Sequence, residues 1–141
     1  MRLEVIVVAE ARADYEIGFG LAGRVNEETG AGHDLHSRGM DAAEKFTKWG
    51  NVKSLAATRN GKVKRFSLDR GPFKGGDAVT AWQVAALCSL SAIEGESPTI
   101  LLVRDTDNDR ERAEELKEAV MRFRQKGLTI MLAQPDPKRD R

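Results

Sequence analysis

The stretch Thr99–Ala133, TILLVRDTDNDRERAEELKEAVMRFRQKGLTIMLA, decides the fold. Its first six residues, Thr99–Arg104, are a short apolar run of the kind found in a strand buried on both faces. Asp105–Asp109 interrupts it, and a helix is predicted from about Arg110 to Gln125 because Leu116, Ala119, Val120 and Phe123 keep helical period. Glu118 and Arg122 add an i,i+4 pair on the outer side. Gly127 stops the helix, Leu128–Ala133 reads as another strand, and Pro135 and Pro137 close the fold. Strand, helix, strand with short joins is the unit of a parallel sheet.

A strand and a helix also open the chain. Leu3–Ala9 (LEVIVVA) is a Val- and Ile-rich run, and a helix follows over about Arg12–Asn26, with Ile17, Leu21 and Val25 at i, i+4 and i+8. Gly18, Gly20 and Gly23 each cost a helix up to about 1 kcal/mol against Ala, so close packing is expected around them. Thr29–Gly39 reads as a loop and Asp41–Trp49 as a helix ending at Gly50. Asn51–Leu68 fits either a helix end or strands around the Asn60-Gly61 turn. Gly71–Gly76 is a connector, and Asp77 is placed as the N-cap of a helix reaching about Leu90, with Val79, Trp82, Ala86 and Leu90 inward. The expected architecture is an α/β sandwich, a parallel sheet with helices on both faces, forming one domain over residues 1–141 with a basic insertion at about 31–97. No internal repeat is visible.

Composition narrows the function classes. The 141 residues carry a net charge of +1, 32% charged side chains and 6% aromatics, which excludes collagen-like, mucin-like and generally disordered chains. No apolar run approaches the roughly 20 residues of a membrane span. Glu4 stands where a secretion signal would be apolar, and the lone Cys88 excludes an internal disulfide or a cysteine-built zinc site, so the cytoplasm is the expected compartment. The near-zero charge hides an uneven distribution. Met1–Gly30 is acidic, whereas Arg59, Lys62, Lys64, Arg65, Arg70 and Lys74 face only Asp69 across Arg59–Lys74. With Phe66 and Phe73 interleaved, that strip suits a nucleic-acid backbone; a solvated basic loop is the alternative.

The acids at the strand ends carry the chemistry. In a parallel sheet all carboxyl ends share one edge, where ligands usually bind. Glu10 directly follows the first strand, and Asp105 and Asp107 directly follow the strand Thr99–Arg104. If the two strands are neighbours, the three carboxylates converge, repel one another and require a counterion. Carboxylate oxygens suit Mg²⁺ or Mn²⁺, which can activate water and neutralise a phosphoryl group in transfer. Asp109 is an outer ligand or an acid at the helix N-terminus, and the whole Asp105–Asp109 run also reads as a turn and N-cap device. A calcium EF-hand fits less well, because Arg110 replaces its Gly and Leu116 its bidentate Glu.

On these residues the sequence resembles the TOPRIM domain of topoisomerases, bacterial primases, recombination mediators and OLD-family nucleases. VIVVAEARAD supplies Glu10 with Asp14 four residues on, and LLVRDTDNDRE supplies Asp105 and Asp107 with an acidic continuation, Asp109-Arg110-Glu111. The likeness covers about Leu3–Asn26 and Thr99–Gln134; Ala11 stands where many members have Gly, and Tyr15 lacks the topoisomerase context. The resemblance implies a TOPRIM-like, Rossmann-like sandwich. It further implies Glu10 as base or metal ligand, Asp105 and Asp107 as ligands of Mg²⁺ or Mn²⁺, and Asp109 and Asp14 in support. The expected function is metal-dependent phosphodiester cleavage in DNA or RNA, with Arg59–Lys74 gripping the backbone. The rival is a non-catalytic interaction subunit serving a larger partner such as an ATPase, and homo-oligomers fit either reading.

Competing signals are weaker. Gly18-Phe19-Gly20-Leu21-Ala22-Gly23 matches G-x-G-x-x-G, but a dinucleotide loop needs its first glycine in the turn after the strand, and these fall inside the predicted helix. A haloacid-dehalogenase phosphatase carries its D-x-D on the first strand rather than a late one. His33 and His36 are read as surface residues, Cys88 as a buried inert thiol and Trp82 as core, with Trp49 a candidate for base stacking.

Overall fold

Val5, Val7, Val8 and Ala9 are completely buried and Ile6 nearly so, which makes the first strand the spine of the molecule. The computed structural model describes residues 2–30, 32–40, 44–58, 73, 76–91, 99–105 and 109–134. Over these the order is β1 (Arg2–Ala9), α1 (Arg12–Glu28), β2 (Asp34–Arg38), β3 (Thr47–Lys48), a 3₁₀ turn (Trp49–Asn51) and α2 (Val52–Thr58). Then come α3 (Gly76–Ser91), β4 (Thr99–Val103), α4 (Arg110–Gln125) and β5 (Thr129–Ala133).

The described strands form one sheet in the order β2-β1-β4-β5, with β3 also on β1, and every pairing is parallel. β1 and β4 run side by side in the register Val5↔Thr99 to Ala9↔Val103. Their alternating residues feed two cores, as a strand's period of two requires. Val5, Val7, Ala9, Leu101 and Val103 face α1, packed against Tyr15, Phe19 and Ala22. Ile6, Val8, Ile100, Leu102 and Ile130 face α3 and α4, meeting Ala81, Val84, Leu116, Val120 and Phe123. Burying each such Val, Leu, Ile or Phe contributes roughly 1.5–3 kcal/mol. Helices lie on both faces of a parallel α/β sheet, as the strand–helix pattern predicts.

Local chemistry sets the ends of the elements. The Asp109 carboxylate accepts the Arg112 N–H and caps α4. Gly127, at φ 93°, ends that helix in a conformation other residues rarely adopt. Gly18 sits where α1 crosses β4: a Cβ there would collide with Cγ2 of Val103 and lie 2.9 Å from its Cγ1.

Three local expectations are corrected. Asp34–Arg38 is a strand, not part of a loop; its polar sequence, DLHSR, shows no apolar pattern because it is held by main-chain pairing to β1 at the sheet edge. The helix expected over Asp41–Trp49 is instead β3 and the start of the 3₁₀ turn over its last residues, with 41–43 outside the described residues. Close packing explains Gly18 but not Gly20 or Gly23, where an added Cβ would meet nothing within 4 Å. No helix among the described residues is long and apolar enough to cross a membrane.

Candidate functional site

The parallel pairing of β1 with β4 brings two predicted site residues to one edge. Ala9 and Val103 are register partners, so Glu10 is level with Arg104, and Asp105 follows one residue along. Asp14 lies in the first turn of α1, where the exposed N–H groups favour negative charge. Asp109 serves as the α4 cap just described. Asp107 and the basic residues Arg59, Lys62, Lys64, Arg65, Arg70 and Lys74 lie outside the described residues.

Arg104, at the end of β4, organises this edge. Its Nη1 is 3.2 Å from Oε2 of Glu10, its Nε is 3.3 Å from Oδ1 of Asp77, and its guanidinium carbon stands 5.0 Å above the Trp49 ring. Arg112 completes the cluster from α4, donating from Nε to Oδ2 of Asp77 at 2.6 Å. The Nε of Arg104 is buried and too poorly aligned with Asp77 to count as hydrogen-bonded, so that contact is an ion pair held by charge and position. Burial grades along the chain of charges. Asp77 is only 8% exposed, the Arg104 side chain 15%, and that of Glu10 57%. Two carboxylates and two guanidiniums therefore balance, with Asp77 buried, the arginines half-buried and the outer carboxylate open to solvent.

Sequence reasoning missed this network. Asp77 is not the cap of its helix: α3 begins one residue earlier, at Gly76, whose φ of 70° turns the chain. Its carboxylate instead turns inward to two arginines distant in sequence. The available signal was Arg104 itself, a cation directly after an apolar strand and beside the acids. Trp49 is buried beneath Arg104, and Phe73 is buried with Arg122 5.9 Å above its ring, so neither presents a stacking surface for bases. Tyr15 is stacked between Phe19 and Phe46, and its hydroxyl hydrogen-bonds Ser37. The G-x-G-x-x-G run lies wholly inside α1. Nε2 of His36 is 2.9 Å from Asp34, and the backbone of His33 is held by the Asn26 amide. Cys88 is a buried thiol.

Comparison with family models, curated proteins and solved structures finds no match. The functional reading therefore rests on the edge itself. Glu10 and Asp105 offer hard oxygen donors of the type Mg²⁺ or Mn²⁺ takes. No group of three acidic, histidine or cysteine residues suited to a metal ion is assembled among the described residues. Beside the edge, a groove of about 520 Å³ opens at the carboxyl ends of β1 and β3, lined by the cations Arg12, Lys45 and Lys48 and by the acids Glu16 and Glu44.

Proposed function

We propose that the protein cleaves phosphodiester bonds of nucleic acid at this edge, using a divalent cation held by Glu10, Asp105 and Asp107, in the manner of a small TOPRIM-like domain of the cytoplasm. The observation that carries the reading is the Ala9↔Val103 register, which sets a strand-end glutamate beside the start of the D-x-D run. A bound Mg²⁺ or Mn²⁺ would supply an activated water and charge neutralisation for the phosphoryl group. The protein's own part is positional. Arg104 fixes the Glu10 carboxylate, and Asp77 fixes Arg104. Lys45 and Lys48 line the adjacent groove as cations for a phosphate backbone, beside an Arg12 that pairs with Glu16, and the strip Arg59–Lys74 would extend that grip. Supercoiled plasmid and a labelled RNA, each incubated with Mg²⁺, Mn²⁺ or EDTA, test it. Cleavage is expected with metal, none with EDTA, and a loss of about 100-fold or more in Asp105→Ala, on the order seen when a principal catalytic group is removed. Activity indifferent to both EDTA and the substitution overturns the metal centre.

A second reading has its own observation. Arg104 already supplies a counterion to Glu10, so part of the acid edge is neutral without metal. That arrangement suits a non-catalytic subunit whose edge docks a larger partner such as an ATPase. Calorimetric titration with millimolar Mn²⁺ separates the two: heat that disappears in Asp105→Ala supports the metal centre, and no heat favours the docking role.

A further inference from the structure

Helix α1 turns one side to the sheet and leaves apolar residues on the other. Tyr15, Gly18, Phe19 and Ala22 face the core, while Ile17, Leu21 and Val25 are 44%, 36% and 54% exposed. Single exposed apolar residues need no explanation, but three in a row at i, i+4 and i+8 form a continuous stripe. Ile17 and Leu21 line a groove with Glu16, Gly20 and Arg24, and the position above Gly20 is open. Gly20 and Gly23 weaken the helix without relieving any contact inside the protein, unlike Gly18.

The charges around this stripe say what covers it. Arg12, Glu16, Gly20, Arg24 and Glu28 recur every four residues. The row is antisymmetric about Gly20, with Glu16 and Arg24 equally spaced on either side and Arg12 and Glu28 beyond them. Within each copy Arg12 already stands 3.4 Å from Glu16, and a second α1 laid antiparallel across Gly20 sets that exposed Glu16 against the other copy's Arg24 as well, twice over. A parallel pairing in register would oppose like charges at every one of these positions. This is the self-complementarity that an isologous two-fold interface requires.

We propose that α1 is a homodimer interface, in which two copies cross antiparallel at Gly20, bury Ile17 and Leu21, and exchange Glu16–Arg24 ion pairs. The absent side chain at Gly20 permits close approach of the two backbones. Glu16 also lines the groove beside the Glu10–Arg104 edge, but the dimer does not depend on the catalytic reading. One helix pair makes a small interface, so the dimer is concentration-dependent.

Sedimentation velocity on the full chain across a wide concentration range tests it, with circular dichroism confirming that each variant is folded. The wild-type protein is expected to shift from monomer to dimer. Glu16→Arg and Arg24→Glu each place like charges across the axis and should weaken association by about tenfold or more. The double variant E16R/R24E should restore it. So should an equimolar mixture of the two single variants, because one chain then carries arginine at both positions and meets glutamate at both positions of the other. A wild-type chain that stays monomeric overturns the proposal, as does a dimer indifferent to both single substitutions or single-variant losses that mixing fails to recover.

Discussion

Asp77 illustrates how much can hang on one buried carboxylate. It neutralises Arg112 directly and holds Arg104, which in turn holds Glu10 at the surface. Removing one member of a buried charge group leaves the others desolvated and unpaired, a cost that mutational series put at about 3–5 kcal/mol for fully buried pairs. Because Arg112 keeps partial access to water, Asp77→Asn is expected to destabilise by about 2–3 kcal/mol, read as a lower urea midpoint with an unchanged slope. Glu10→Gln, at the exposed end of the same chain, should cost under about 1 kcal/mol. If the edge is catalytic, Glu10→Gln loses activity while staying folded. Equal destabilisation by both substitutions would show that the network is not graded from a buried anchor to a solvated edge. None of this was readable from Asp77 in the sequence, where an Asp before an apolar helix reads as a cap. Local spacing cannot show a partner thirty-five residues away.

At the scale of elements, the opening strand–helix pair and the closing strand–helix–strand unit were legible because their signals are strong and local. A doubly buried strand must be apolar throughout, and a helix covering it must be apolar on one side only. β2 was illegible for the opposite reason: its residues gain order from hydrogen bonds to β1, which leave no trace in residue type. Helix α1 shows both conditions at once. Its helical period was visible, but Ile17, Leu21 and Val25 define its outer side, and the inner side is set by Tyr15, Gly18, Phe19 and Ala22. The glycines separate these roles experimentally. Gly18→Ala forces a methyl into Val103 and is expected to destabilise by about 1–3 kcal/mol, whereas Gly23→Ala enters open space and should stabilise by up to about 1 kcal/mol. Thermal or denaturant unfolding of the two variants checks both signs. A neutral Gly18→Ala would mean that α1 does not press on β4.

For the whole molecule, charge placement matters more than charge total. An acidic edge partly neutralised by Arg104 can coexist with a basic strip within a chain of net charge +1. If the six cations of Arg59–Lys74 all engage phosphates, nucleic-acid affinity should fall about a thousandfold between about 50 and 200 mM salt. Fluorescence anisotropy with a labelled oligonucleotide measures that slope. A flat profile would remove the strip from the interface and shift weight to the partner-docking reading.

By itself the sequence determined the sheet's central strands, the helices flanking them and the ordering of Glu10 before the D-x-D run. Each follows from local period and from the need of apolar strands to be covered. Only the tertiary structure decided that β1 and β4 are neighbours and that Arg104 is the counterion of Glu10. It alone also showed that Asp77 is an interior anchor and that one apolar stripe of α1 is left facing water. Those outcomes depend on which distant segments meet, and strand order, burial depth and ion pairing come into existence only when the chain closes on itself.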